Sequence, residues 1–91
     1  MTYEIKETTT FKKDFRLAKK RGCKMELLKE VIDMLATKKS LPPKNKDHAL
    51  KGDRSGLREC HIQPDWLLVY YHDDKVLVLH LMQTGTHGDL F

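Results

Sequence analysis

Three short apolar segments near the end of the chain, separated by polar turn residues, constrain the fold more than any other feature. They predict strands at Leu57–Ile62, Trp66–His72 and Lys75–Met82. Pro64-Asp65 and Asp73-Asp74 are the predicted turns between them. Because links this short join neighbouring strands as hairpins, the pattern predicts an antiparallel meander.

The first half of the chain shows helical spacing instead. Phe11–Arg21 and a segment from about Lys24 to Thr37 each carry an apolar stripe, and Gly22 separates the two helices. Thr2–Glu7 alternates and predicts a short strand. The order β-α-α-β-β-β therefore predicts an α+β fold. In it, two N-terminal helices pack on one face of a mainly antiparallel sheet.

Length and composition narrow the class of protein further. With 91 residues the chain is expected to form a single domain over residues 1–91, with a lean core and no room for a large cofactor. No apolar run approaches the roughly 20 residues of a membrane span, and the polar start is not that of a signal peptide. Cys23 and Cys60 are expected to be reduced thiols in a cytoplasmic protein.

Charge and histidine are unevenly distributed. Residues 1–50 carry 13 Lys or Arg and 7 Asp or Glu, whereas residues 51–91 carry 4 and 6. All five histidines lie in the last 44 residues. The basic half is either a solvated pair of helices or a surface for an anionic partner, and the histidine-rich half is suited to proton transfer near neutral pH.

Four residues with acid–base chemistry are expected to meet at one edge of the sheet. Strand geometry brings His61, Asp65 and His87 together there, and the preceding loop can add His48. Glu59 alternates with His61 and shares its face. Two imidazoles suit RNA cleavage without a metal, because one can accept the proton of the 2′-OH while a second group protonates the leaving 5′-oxygen.

Further residues could support that reaction. Lys46, Lys51 and Arg58 are cations that could stabilise charge on the phosphate, and Phe91 and Trp66 could stack on bases. Other interpretations stay open at this point. The histidines could be ordinary loop residues, Trp66 could be a core anchor, and three histidines with one aspartate could bind zinc. From the residues alone, the chain is a small basic α/β domain with a possible RNA partner.

Three segments carry a resemblance to a known family. Lys46–Gly52, Arg58–Tyr70 and Thr84–Phe91 resemble, in order, the YafQ-type toxins of the RelE/ParE superfamily, and the likeness extends over the whole chain. The resemblance implies a RelE-like fold and a toxin of a bacterial type II toxin–antitoxin pair. It further implies an endoribonuclease that enters the ribosomal A site and cuts the message there.

The same resemblance assigns roles to individual residues. It places the catalytic positions on His48, His61, Asp65 and His87, the acidic strand position on Glu59 and the C-terminal aromatic position on Phe91. One position departs from the pattern, because Gln83 stands where the family commonly has arginine. Either another cation such as Arg58 or Lys51 substitutes, or the toxin is weakened or inactivated by this residue.

The expected partners follow from the family. They are mRNA and ribosomal RNA in the A site, and a cognate antitoxin whose acidic, partly disordered segment folds on binding. A toxin–antitoxin complex would contact operator DNA through the antitoxin. No metal, cofactor or membrane is expected, and the protein is expected to be cytoplasmic. The alternative from a different class is a non-enzymatic inhibitor of DNA gyrase, of the ParE kind.

Overall fold

A computed structural model describes residues 2–91 of the chain. Its elements, in chain order, are β1 (Glu4–Glu7), α1 (Thr9–Lys20), α2 (Met25–Ala36), β2 (His48–Ala49), β3 (Arg58–Gln63), β4 (Trp66–Asp73), β5 (Val78–Gly85) and α3 (His87–Leu90). The strands form one sheet in the order β1-β5-β4-β3-β2. Strand β1 runs parallel to β5 and the other pairs are antiparallel, so the predicted α+β fold with a mainly antiparallel sheet is confirmed.

The ends of α1 are set by local chemistry. The hydroxyl of Thr8 accepts the backbone N–H of Phe11 at 2.9 Å and caps the first turn. At the other end Gly22 has a positive φ of 81°, and the backbone N–H of Cys23 reaches the carbonyl of Ala18 at 3.1 Å. This is the glycine-terminated helix end that the position of Gly22 predicted.

One face of the sheet forms the main core beneath the two long helices. Phe11 of α1 and Leu28 of α2 are fully buried there against Leu68, Tyr70 and Leu79 of the sheet. Burial of each large apolar side chain contributes about 1.5–3 kcal/mol, so this face supplies most of the hydrophobic stabilisation. The predicted position of the helices on one face of the sheet is in agreement with this core.

The opposite face carries a second, smaller hydrophobic cluster. Leu67 and Val69 of β4 lie beneath Leu90 of α3, and Leu50 and Leu57 of the intervening loop pack beside them. We call the apolar surface formed by Leu67 and Val69 the apolar floor. The residues expected to act on RNA lie on this face of the sheet.

A bulge in β5 changes which side chains face this floor. Val69 pairs with Gln83, but the next residue of β4, Tyr70, pairs with Leu81, so Met82 is the extra residue. Leu81 packs in the main core, whereas Met82 packs in the second cluster. Because Met82 is the extra residue, the side chains of β5 match those of β4 both before and after the bulge. Gln83 therefore projects from the face of the second cluster.

The predicted two-residue hairpin at Asp73-Asp74 is wrong. The turn occupies residues 74–77, and β5 begins at Val78 instead of Lys75. Leu77 adopts a left-handed conformation with φ of 55°, and its carbonyl accepts the backbone N–H of Glu4 at 2.9 Å. The incoming β1 strand thus helps to fix a longer turn than the local sequence indicates.

Two further elements were not predicted as such. The loop expected over Lys44–Ser55 contains β2, which pairs with β3, and the expected tail segment forms the single-turn helix α3. The helices in residues 2–91 reach 12 residues at most, and none of them has the length and apolar character needed to cross a membrane.

Candidate active site

The candidate site is built on a row of register partners across four strands. His48 of β2 pairs with Glu59 of β3, Glu59 pairs with Val69 of β4, and Val69 pairs with Gln83 of β5. Direct partners in neighbouring strands project from the same face. The row therefore places polar side chains at the rim of the apolar floor, with buried Val69 between them.

Glu59 is the most deeply buried polar group of the row, with only 4% of its surface exposed. One carboxylate oxygen, Oε1, lies 3.5 Å from Nε2 of His48. The other, Oε2, is buried and has no hydrogen-bond partner. A buried acceptor without a partner is costly for the fold.

The orientation of His48 is set by the backbone beside it. Its Nδ1 lies 2.7 Å from the carbonyl of Lys46, a residue in the left-handed conformation with φ of 45°. A carbonyl can only accept a hydrogen bond, so Nδ1 carries the proton and donates it. The other ring nitrogen, Nε2, is thereby directed toward the Glu59 carboxylate.

His61 and His87 face each other beside Glu59. Their ring centroids are 5.8 Å apart, and one ligating atom from each of Glu59, His61 and His87 lies within 4.8 Å of the others. Nδ1 of His61 lies 3.3 Å from the carbonyl of Pro64, which leaves its Nε2 as the acceptor. The hairpin turn after β3 therefore orients this imidazole.

His87 is the first residue of α3, and the cap of that helix holds it in place. The Thr86 hydroxyl accepts the Asp89 backbone N–H, and the Asp89 carboxylate accepts the Thr86 N–H in a reciprocal capping box. Asp65 lies 3.4 Å from both the backbone nitrogen and Nδ1 of His87. Arg21, which follows the last residue of α1, donates to Asp89 at 2.7 Å and links α3 to the end of the first helix.

The bond from Arg21 has an electrostatic consequence. It is the main cause, ahead of the Thr86 backbone N–H, that lowers the pKa of Asp89 to about 2. The carboxylate that caps α3 therefore stays charged throughout the neutral range, and the helix that carries His87 keeps its anchor.

We call Glu59, His61 and His87, with their partners His48 and Asp65, the acid–base cluster. It contains the four histidine and aspartate positions and the glutamate expected from the sequence. Two imidazoles and a carboxylate at this spacing can accept and donate protons around one bound group. The same nitrogen and oxygen donors from Glu59, His61 and His87 could also hold a divalent transition metal ion.

Arg58 has a different environment from the one expected of a substrate cation. It forms a salt bridge with Asp47 at 3.3 Å, and the Tyr70 hydroxyl donates to the same carboxylate. Burial and then the Asp47 carboxylate raise the pKa of Tyr70, and Asp47 likewise raises that of Arg58. The contacts from Arg58 and Tyr70 therefore hold Asp47, the residue that precedes His48.

Arg54 is a further basic residue beside the site, and the sequence did not point to it. Its Nη1 donates to Oε1 of Gln83 at 2.8 Å, and its Nη2 donates to the carbonyl of Leu90 at 2.8 Å. Its guanidinium also lies 4.5 Å from the ring centre of Phe91. In the sequence, Arg54 is one of several basic residues in a polar loop. Nothing near it indicates a contact with Gln83.

The remaining predicted residues are divided between surface and core. Phe91 is 60% exposed and its ring centre lies 6.4 Å from that of His87, so it can be reached by a base. Lys46 and Lys51 are exposed on the segments flanking β2. Trp66 is only 5% exposed and its indole N–H donates to Thr84, so its burial does not suit stacking on RNA.

Comparison with known proteins gives concordant matches. The family described as bacterial toxin of type II toxin-antitoxin system, YafQ, matches residues 3–91. The mRNA interferase toxin YafQ of Escherichia coli strain K12 is 39% identical over 89 residues, which are 97% of this chain and 95% of that protein. A metal-bound toxin from Helicobacter pylori is 42% identical over the full length of both chains, with a TM-score of 0.93. A chain of the E. coli DinJ-YafQ toxin-antitoxin complex is 37% identical, with a TM-score of 0.89, over 100% of this chain and 99% of that one.

Proposed function

The chain belongs to the YafQ family of bacterial toxins from type II toxin–antitoxin systems, and we propose that it cuts mRNA on the ribosome by metal-independent acid–base catalysis. The observation that carries the mechanism is the convergence of Glu59, His61 and His87 within 4.8 Å. A binding protein that only blocks DNA gyrase has no need of such a cluster, so the ParE-like alternative is not favoured.

The reaction proceeds by attack of a message 2′-OH on the adjacent phosphorus. His61 is the base, because its Nδ1 is held by the Pro64 carbonyl and its Nε2 is free to accept the 2′-OH proton. As the new P–O bond forms, the bond from phosphorus to the 5′-oxygen breaks. The products are a 2′,3′-cyclic phosphate and a free 5′-OH.

His87 is the acid that gives the leaving 5′-oxygen its proton. The carboxylate of Asp65 lies 3.4 Å from both the backbone nitrogen and Nδ1 of His87 and so orients the imidazole. Glu59 lies within 4.8 Å of both imidazoles, and we assign its carboxylate the role of accepting a ribose hydroxyl and so aligning the 2′-OH. Each of these groups belongs to this chain, and none of the steps requires a metal ion.

The partners follow from the same proposal. DinJ and YafQ of E. coli form a toxin-antitoxin complex, and we expect a cognate antitoxin to bind this chain. The basic N-terminal half suits contacts with ribosomal RNA and with an acidic antitoxin segment. Operator DNA would be contacted through the antitoxin. Residues 1–91 would act as a single domain, in the cytoplasm where translation occurs.

The test is cleavage of a message in a purified translation system, read by primer extension. His61→Ala and His87→Ala should each lower the cleavage rate by about 100-fold or more, because each removes a general acid or base. His80→Gln is the matched control, since His80 stacks on Tyr71 at 4.4 Å and has no part in the cluster. Unchanged cleavage by both alanine variants would contradict the proposed site.

A further inference from the structure

Cleavage of a phosphodiester needs positive charge beside the phosphate, and the acid–base cluster does not supply a permanent cation. Negative charge builds on the non-bridging oxygens as the 2′-oxygen attacks, and a fixed guanidinium stabilises it better than a mobile ammonium. Gln83 stands in the row of the site but carries no charge. The source of the charge must therefore be another residue.

Two of the arginines near the site are already neutralised. Arg21 forms a salt bridge with Asp89 at 2.7 Å, and Arg58 forms one with Asp47 at 3.3 Å. Arg54 differs from both. No carboxylate within residues 2–91 lies at salt-bridge distance from Arg54. Its two hydrogen bonds are donated to the uncharged oxygens of Gln83 and Leu90.

The contacts of Arg54 hold its guanidinium without using up its hydrogen-bonding capacity. A guanidinium has five N–H donors, of which two serve Gln83 and the Leu90 carbonyl, so three remain. Cζ of Arg54 lies 4.5 Å from the ring centre of Phe91, and this contact restricts the orientation of the guanidinium. The side chain is partly exposed, so an incoming anion can reach it.

Its position also suits the reaction. Phe91 is a neighbour of both Arg54 and His87, with ring centres of Phe91 and His87 6.4 Å apart. Gln83, to which Arg54 is bound, lies two strands from Glu59 in the same register row, roughly 10 Å between backbones. A phosphate between the two imidazoles and Phe91 would lie within reach of a guanidinium fixed there.

We propose that Arg54 is the phosphate-binding cation of the site, and that Gln83 and Phe91 hold it in the orientation in which it meets the scissile phosphate. This proposal rests on the proposed ribonuclease function. On this basis Gln83 is not a damaged position but the acceptor that positions an arginine brought in from the loop after β2. Arg54 contacts the substrate, whereas Gln83 is a positioning residue.

Two measurements test the role of Arg54. In the translated-message assay, Arg54→Ala should lower cleavage about 100-fold, and Arg54→Lys should recover only part of it. The second is the salt dependence of binding to a short 2′-O-methylated RNA, which lacks the attacking hydroxyl. Loss of one phosphate contact should reduce the slope of log affinity against log salt by about 0.7. Lys75→Ala, which removes a cation in the β4–β5 turn, should change neither measurement.

An exchange of the two side chains tests the role of Gln83. Arg54→Gln combined with Gln83→Arg should cleave at least tenfold faster than Arg54→Ala, since the guanidinium then enters the same place from β5. Arg54→Ala cleaving within twofold of the parent, or losing cleavage with an unchanged salt slope, would overturn the proposal. Absence of message cleavage by the parent chain would instead overturn the proposed function, while the salt slope would still report on Arg54.

Discussion

The proposed mechanism uses the Glu59 carboxylate, but its burial is unfavourable for the fold, so Glu59→Met should stabilise the protein while removing cleavage. Methionine has a similar length and no polar atoms, and it would lie beside the apolar floor formed by Leu67 and Val69. Methionine would thus occupy the place of the carboxylate without leaving a buried polar atom unpaired.

The magnitude follows from the two oxygens of Glu59. Oε2 has no partner, and a buried acceptor in this state costs about 1–3 kcal/mol. Oε1 faces His48 at 3.5 Å, but that imidazole is half exposed, so the pair contributes about 0–1 kcal/mol. The expected net gain in unfolding free energy is about 1–2 kcal/mol. For a chain of this size that raises Tm by roughly 5–15 °C.

Guanidinium chloride unfolding at pH 7, followed by the fluorescence of the single buried tryptophan, measures this change. The midpoint should rise while the dependence on denaturant stays constant, which shows that stability and not compactness has changed. Glu30→Met on the exposed side of α2 is the control and should stay within about 0.5 kcal/mol of the parent. A lower midpoint for Glu59→Met would refute the argument that Oε2 is uncompensated.

Three further predictions concern other parts of the molecule. Burial raises the pKa of Cys60 to about 12, so iodoacetamide should modify Cys23 in the native protein and Cys60 only after unfolding, as mass spectrometry would show; early labelling of Cys60 would contradict its burial. The pKa of Asp89 is lowered, so its charged form stabilises the fold above about pH 4, and the Tm difference between the parent and Asp89→Asn should shrink as pH falls toward 2; a difference that is undiminished at pH 2 would exclude the Arg21 contact as its cause. Zinc should bind the acid–base cluster and inhibit cleavage, because it would occupy the atoms proposed to transfer protons. A zinc-selective chelator that leaves magnesium bound should restore activity, whereas zinc-stimulated cleavage would contradict the metal-free mechanism.

The elements with strong periodicity could be predicted from the sequence, because their signals are local. The apolar stripe and Gly22 placed the first helix at Phe11–Arg21, and the structure has it at Thr9–Lys20, with Thr8 as the cap. The β4–β5 turn could not be predicted in the same way. Its length depends on Leu77 meeting Glu4 from the far end of the chain, and that contact leaves no trace in the turn residues themselves.

The candidate site could also be predicted only in part. Histidines and acidic residues at strand ends could be predicted to meet, since short hairpins fix which ends share an edge. The face occupied by Gln83 could not, because strict alternation would place it with Leu81 in the main core and only the Met82 bulge reverses this. Arg54 was missed because a residue in a short irregular loop carries no periodicity from which its neighbours can be derived.

The parallel pairing of β1 with β5 has a consequence for the order in which the protein assembles. It joins Glu4 to Val78, and both long helices lie within the loop that this pairing closes. Closing such a loop is entropically costly, and non-local pairing of this kind slows folding. Until β5 takes its place between β1 and β4, Phe11 lacks Leu79, one of the strand residues against which it is buried, and the turn that carries His87 has no strand to extend from. The main core and the position of His87 therefore both depend on the placement of β5.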